Sequence, residues 1–400
     1  MPKIGVPLIV ALASCALGTL ITAAQTAETK TAAGSTPVAY VYVSRPTHLD
    51  GFAASAGGKL TPVPGSPFSN IALSHMSVTR QFLFGSSDDN QSIVSYAIAS
   101  NGSVKKVSEI NTHNYDPPDN DCFDVGPTQI DFARATLYND DWNCDGDSQY
   151  IQSYKIETNG SLTFLANSGG ESEDYTMSAP VVLGTDQYLY VDGYFGEGQA
   201  GGLLQGYKRE SNGSVELTQP NIGFPPATNP NDTYQPYPVL ASDPTNHVAA
   251  AIQPDSTLGE NEDGPIQLLS FTAQSNGTLT TTNTADNMPA TDIQQANVLS
   301  ISPTGKLLAV GGGAASFHPS GTNGFQLFHF NGASPITKYS GVLQSKYLID
   351  QFAWDKSNHL YVLGSGYLWV YTVTSTSIVQ ASGSPYSIPE ASSLIVLDLQ

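Results

Sequence analysis

The sequence is short of positive charge. Its 400 residues carry 15 lysines and arginines against 35 aspartates and glutamates, for a formal net charge of −20. Nucleic-acid binding requires clustered Lys and Arg to displace phosphate counterions, so nucleic acid is excluded as a partner. Arginine is scarcest, present only as Arg45, Arg80, Arg134 and Arg209. It is the usual bidentate clamp for phosphate, so a phosphorylated substrate is disfavoured as well. A sustained 3.6-residue periodicity is also missing, which excludes helix-rich folds. Glycine (37), proline (26) and tyrosine (20) are abundant, and this composition favours strands and turns. The expected fold class is all-β.

Cysteine is nearly absent, with Cys15, Cys122 and Cys144 only. Cys15 lies in an N-terminal run, MPKIGVPLIVALASCALGTLITAAQTAETK, which has one lysine, an apolar stretch and then small residues. That order is the order of a secretory signal, with cleavage after Ala24 or Ala27. Two other readings remain open. One is a membrane anchor over Ile4 to Ala24, a stretch that is short and contains Pro7. The other is lipid attachment at Cys15, because Leu12-Ala13-Ser14-Cys15 resembles a bacterial lipobox. The expectation is a signal peptide over 1–24, a Thr- and Ala-rich linker over 25–37 and an exported, periplasmic or extracellular domain over 38–400. No membrane span is expected after processing. Removal of the leader leaves Cys122 and Cys144 as the one possible intramolecular disulfide. Zinc is not expected, since these cysteines are better used on each other and the seven histidines show no HxH or HxxxH spacing.

Self-similarity sets the architecture. Seven short apolar strands begin at Tyr40, Phe82, Thr136, Tyr188, Val248, Leu307 and Leu360. Each is followed by a variable loop and a second strand carrying Phe52, Tyr96, Tyr154, Tyr207, Phe271, Phe328 or Tyr371. Five residues past the first five of these aromatics the chain reads Gly57-Gly58, Asn101-Gly102, Asn159-Gly160, Asn212-Gly213 and Asn276-Gly277, dipeptides suited to two-residue hairpin turns. A third strand follows each turn, and a fourth precedes the next repeat. Four antiparallel strands per unit, in seven units of roughly 40 to 60 residues, describe a seven-bladed β-propeller. The first unit lacks its leading strand while the chain ends in an orphan, Ser393 to Gln400, so the C-terminal strand is expected to close the first blade.

The SPTGKLLAV and NHLYVLG units, each followed by an aromatic strand and a turn, resemble the bacterial lactonase-type propellers related to 6-phosphogluconolactonase and the YVTN-repeat proteins. The resemblance spans Val38 to Gln400. It implies the propeller fold and lactone hydrolysis, but supplies no motif from which a catalytic residue can be carried over.

In such blades the short Asn-Gly turns share one face and the long loops share the other, where binding is expected. Long loops are read at 139–149, 192–202, 253–265, 311–324, 111–124 and 220–232, and most of the acidic residues fall on this face, making it attractive to cations. Asp141-Trp142-Asn143-Cys144-Asp145-Gly146 matches the start of a calcium loop, with Asp147 next in alternation. A Ca2+ ion held by Asp141, Asn143, Asp145 and Asp147 stands against a plain solvated turn, and Gln152 at position twelve rules out an EF-hand. Cys122 and Cys144 lie in neighbouring loops of that face, where a bridge is natural. His75 and His113 are candidates for a general base, while His247, His329 and His359 read as packing or solvated residues. Tyr115, Trp142, Tyr175, Tyr194, Phe195, Tyr234 and Phe317 suit either sugar stacking or the capping of blades. Two functions follow: hydrolysis of a neutral sugar lactone, or non-catalytic binding of a glycan, cation or protein.

Overall fold

A computed structural model describes residues 36–115, 123–143, 148–171, 175–177, 181–182, 187–195, 203–230, 232–256, 265–313, 322–332 and 335–400. These belong to one compact unit, Ser35–Gln400. The leader and most of the linker lie outside the described residues, as do Cys122, Cys144, Asp145 and Asp147.

The repeat folds as seven antiparallel sheets. Blade 2 shows the plan: Ser74–Val78 lies innermost, followed outward by Phe82–Ser86, Ser92–Ile98 and Val104–Asn111. The innermost strands of successive blades contact one another around a closed ring, so the structure is a seven-bladed β-propeller. Ser393–Asp398 pairs antiparallel with Ala39–Arg45, from Ala39 opposite Asp398 to Ser44 opposite Ser393. The C-terminal strand therefore completes blade 1, and the Lys356 Nζ of the adjoining blade 7 turn reaches its Asp398 at 3.1 Å. The only helix among the described residues is a 3-10 turn, Thr112–Tyr115.

The apolar alternation of each strand is buried between blades, giving seven clusters for seven interfaces. Tyr40, Tyr42, Met76 and Leu83, for example, join blades 1 and 2. Leu137 faces blade 2 with Phe84, whereas its neighbour Tyr138 faces blade 4 with Leu189 and Val191.

The hairpin turns between third and fourth strands differ from the two-residue type expected. In blade 2, Gly102 N donates to Ala99 O at 2.9 Å and Ala99 N donates to Ser103 O at 2.9 Å. This leaves a three-residue loop in which only the glycine has positive φ, 83°. Such a type I turn with a glycine bulge follows the right-handed twist of the strands while sparing Asn101 the left-handed region. Asn101 instead turns its Oδ1 to accept from Ser103 N at 3.1 Å and Ser103 Oγ at 2.8 Å. The same contacts recur at Asn159 and Asn212, so the repeated Asn-Gly-Ser triplet is a turn device.

Each turn glycine also meets the preceding blade. A Cβ added at Gly102 would lie 2.7 Å from the Tyr40 ring, and one at Gly277 would lie 2.3 Å from that of Tyr188. Gly160 against Phe82 and Gly332 against His247 repeat the contact. Two residues along the same strand, the Tyr42 Oη donates to Gly102 O at 2.8 Å and the Tyr190 Oη to Gly277 O at 2.6 Å. The recurring tyrosine-x-tyrosine pattern is thus an inter-blade clasp.

Between blades 3 and 4 a buried ion pair is added. The fully buried Arg209 guanidinium contacts Asp131 at 2.5 Å, and the part-exposed Arg134 contacts the same carboxylate at 3.0 Å. Burial lowers the Arg209 pKa and the Asp131 charge opposes that effect.

Two predictions follow. Gly102→Ala must strain a left-handed residue and displace the Tyr40 ring, costing about 1–3 kcal/mol in denaturant unfolding, while Tyr42→Phe costs about 1 kcal/mol. Asp131→Ala removes the carboxylate beside a buried guanidinium and costs about 3–5 kcal/mol, whereas Arg134→Ala costs under about 1 kcal/mol. Equal losses for the last pair would show that Arg209 does not depend on Asp131.

Candidate functional site

Antiparallel connectivity puts the turns between first and second strands, and between third and fourth, on one face of the disc. The opposite face receives the loops between second and third strands and those between blades. The long loops of the sequence lie there, but strands extend well into several of them. Thr136–Asn143 and Ser148–Ile156 reduce the segment read as 139–149 to a hairpin whose tip, 144–147, lies outside the described residues. His247–Ser256 and Tyr188–Phe195 likewise run upward into this face.

Asp141 and Asn143 are consequently strand residues. Asp141 is fully buried and pairs in register with Tyr150 on one side and Val125 on the other. The ladder ends with Asn143 opposite Phe123, one residue short of Cys144 on one strand and of Cys122 on the other. Among the described residues no group of three or more His, Cys, Asp or Glu side chains converges as a metal site.

Aligned on Tyr40, Phe82, Thr136, Tyr188, His247, Leu307 and His359, each one residue before the partner of the blade's aromatic, the fifth position is Ser44, Ser86, Asp140 and Asp192 in blades 1 to 4, but Ala251, Gly311 and Leu363 in blades 5 to 7. All seven are buried. The serines are satisfied locally: Ser44 Oγ accepts from Leu73 N at 2.7 Å, and Ser86 Oγ donates to Asn90 Oδ1 at 3.0 Å. Asp140 is different, since its Oδ1 has no partner among the described residues and burial pushes its carboxyl up to about 8. Sequence reading passed over Asp140 and Asp192 as loop acids. Aligning the repeats position by position would have exposed them, because acids replace serines there.

His75 sits in the innermost strand of blade 2, where the register slips between Ser74 and Ser77. Its backbone is left-handed, with φ 47°, and its carbonyl accepts from Thr128 Oγ1 of blade 3 at 2.6 Å. Burial lowers the pKa of its ring, so the neutral base form prevails. His113 lies on the 3-10 turn, and its charge helps Ser87 and the Gln91 N–H lower the pKa of Asp89.

Other candidates resolve as packing. His359 Nδ1 and Tyr361 Oη both bond Asp355 Oδ2 at 2.8 Å, all buried in a turn of the short-turn face. His247 Nδ1 pairs with Asp243 at 2.7 Å in the matching turn of blade 5. Tyr115 stacks on Phe164 with centroids 4.1 Å apart and planes 9° apart, and Tyr234 is buried beneath blade 5. The side chains of Trp142, Tyr175, Tyr194, Phe195 and Phe317 lie outside the described set.

The arginines leave the long-loop face almost without guanidinium. Arg134 and Arg209 are held by Asp131 on the short-turn face, and Arg80 is exposed in a turn of that same face. Arg45 alone reaches the long-loop face, where it lies 3.6 Å from Asp50.

The buried Asp140 makes a pH prediction. Its folded pKa lies above the ordinary 3.8, so the folded state keeps a proton that the unfolded chain has lost. Stability therefore falls as pH rises from about 4 to about 8 and levels off above that. Melting in EDTA checks it: Asp140→Asn is expected to melt several degrees above the unsubstituted protein at pH 8 and to lose most of that margin at pH 4. A margin independent of pH would show that the carboxyl is not held protonated.

No sequence family matches the chain, and no curated protein matches it in sequence. Solved structures do. A provisionally assigned 6-phosphogluconolactonase of Bacteroides uniformis superposes with a TM-score of 0.60 at 10% identity, over 90% of this chain and 100% of its own. The periplasmic gluconolactonase of Pseudomonas aeruginosa gives 0.59 at 14% identity, over 90% and 99%. A second provisional 6-phosphogluconolactonase, from Bacteroides fragilis, gives 0.58 at 12% identity, over 91% and 99%. At such identities the likeness concerns the fold: this chain is a seven-bladed propeller built as these lactonase-type propellers are built.

Proposed function

We propose that the protein is an exported, lactonase-like propeller whose long-loop face takes a neutral, non-phosphorylated sugar lactone. The fold shared with gluconolactonase-type propellers supports the reaction class. The distribution of arginine carries the choice of substrate: three of the four lie on the opposite face, and the fourth has Asp50 beside it. A phosphate on the long-loop face would find acids and little guanidinium.

In this reading His75 is the base that activates water for attack on the ring carbonyl. It is half-buried, neutral, and held at a strained bulge of an innermost strand, a kind of strain that often marks functional positions. Turnover of neutral aldonolactones tests this. The acid limb of kcat/KM is expected below pH 6.5, because burial lowers the imidazole pKa, and His75→Ala is expected to lose at least about 100-fold. Activity retained within threefold would remove His75 from the mechanism. No turnover of any lactone, with calcium or with EDTA, would favour the second reading, a non-catalytic propeller that binds glycan, cation or protein. That reading draws on the His247–Asp243 and His359–Asp355 pairs, which sit in turns away from the long-loop face, whereas the His48–Asp50 pair, 3.7 Å apart, lies on it.

A Cys122–Cys144 bridge and a Ca2+ ion at Asp141, Asn143, Asp145 and Asp147 belong to the same proposal. The register ending at Asn143 and Phe123 supports the bridge, since the next residues on the two strands are the cysteines. Mass analysis without reductant is expected to find no free thiol in the mature domain, and loss of the bridge is expected to cost about 3 kcal/mol. Calorimetric titration is expected to show calcium binding that Asp141→Ala and Asp145→Ala abolish. Unchanged affinity in both variants would leave the hairpin as a plain turn.

A further inference from the structure

On the long-loop face of blade 5, above its packing with blade 4, a cleft of about 290 Å3 opens between the incoming inter-blade loop and the upper ends of the strands Asp232–Ser242, His247–Ser256 and Gln267–Ala273. Ala227, Asn229, Asp232, Tyr234, Pro254 and Gln267 line it. The volume sits at the lower end of the range for ligand pockets, the size of one sugar ring rather than a chain.

The polar groups of the cleft are mismatched in a way that specifies the ligand. Gln267 Oε1 is buried and has no hydrogen-bond partner among the described residues. An acceptor buried in that state costs free energy until a donor reaches it. Asp232 offers a carboxylate held by Asn229 Nδ2, which donates to Oδ1 at 2.8 Å. Burial and the nearby Asp232 raise the Tyr234 pKa, so the phenol keeps its proton. Among the described residues no lysine, arginine or histidine lines the cleft, so none of them would compensate an anionic ligand. The Thr228 and Tyr234 hydroxyls can serve as donor or acceptor, but the unmatched Gln267 Oε1 and the Asp232 carboxylate only accept, so a ligand that fits them brings O–H or N–H groups. One carboxylate is too few oxygens of the right charge for a divalent cation, while Ala227 and Pro254 give an apolar wall of the kind that faces the C–H side of a sugar ring.

From these features we infer that the blade 5 cleft is a subsite for a neutral monosaccharide unit, with Gln267 and Asp232 accepting from its hydroxyls. The inference rests on the long-loop face being the ligand face, and it does not require turnover.

Saturation-transfer NMR of the full protein with D-glucose, D-galactose, D-xylose and N-acetyl-D-glucosamine tests it, with ethanolammonium chloride as a separate arm and with calcium chloride binding followed by calorimetric titration. At least one sugar is expected to receive saturation. Gln267→Leu and Asp232→Ala are each expected to weaken that sugar at least tenfold, while melting temperatures stay within a few degrees of the unsubstituted protein. Asp232→Asn, which keeps one oxygen, is expected to weaken it less than Asp232→Ala. The inference is overturned if no sugar receives saturation, if both variants bind as the parent does, or if only the calcium or ammonium arm responds. Sugar binding without lactone turnover would keep the subsite and remove the lactonase reading. Turnover with no sugar binding would do the reverse.

Discussion

The structure depends on one contact that recurs at five of the seven blade junctions: a turn glycine (Gly58, Gly102, Gly160, Gly277 or Gly332) laid against the first side chain of the preceding blade's second strand. Where that side chain is Tyr40 or Tyr188, a second tyrosine two residues on donates to the same glycine's carbonyl. Glycine is needed twice over, for its left-handed φ and for the absence of a Cβ in a space the ring already fills. The contact fixes the spacing between blades, and the buried clusters between them then fill to native density. Closure of blade 1 by the C-terminal strand makes the series a ring, because it ties the last strand of the chain to the first.

A rigid ring frees one face from structural duty. The short-turn face holds the clasps, the buried Asp–His pairs and the Asp131–Arg209 pair, all of which hold blades together. The long-loop face holds the register slip beside the left-handed His75 and the acids that replace serine in blades 3 and 4. The left-handed His75 and the unmatched, buried Asp140 carboxyl cost stability, and their place on this face is the physical argument for placing function there.

Much of the fold could be read from the sequence because the repeat is local. Tyr40, Phe82 and Tyr188 mark the clasp strands, and Gly102, Gly160 and Gly277 mark the turns that meet them. The turn type could not be read, because Asn-Gly suits both a two-residue turn and the three-residue turn with a glycine bulge, and only the flanking hydrogen bonds decide between them. The candidate site was less visible. Asp140 looked like one acid among several in a polar stretch, and only its place in the strand shows that it is buried toward blade 4. Tyr115 and Tyr234 had the right composition for stacking on sugars, but each is already occupied in packing. Gln267 carries no sequence signal, since its unmet acceptor arises from the meeting of three separate segments.

The central claim is that the long-loop face of this propeller takes neutral sugar lactones and turns away phosphorylated ones. Its most direct measurement is the ratio of kcat/KM for glucono-1,5-lactone to that for its 6-phosphate, taken at low and at high ionic strength. The account predicts a ratio well above one that narrows as salt screens the acidic face. A preference for the phosphate, or a ratio indifferent to salt, would contradict it.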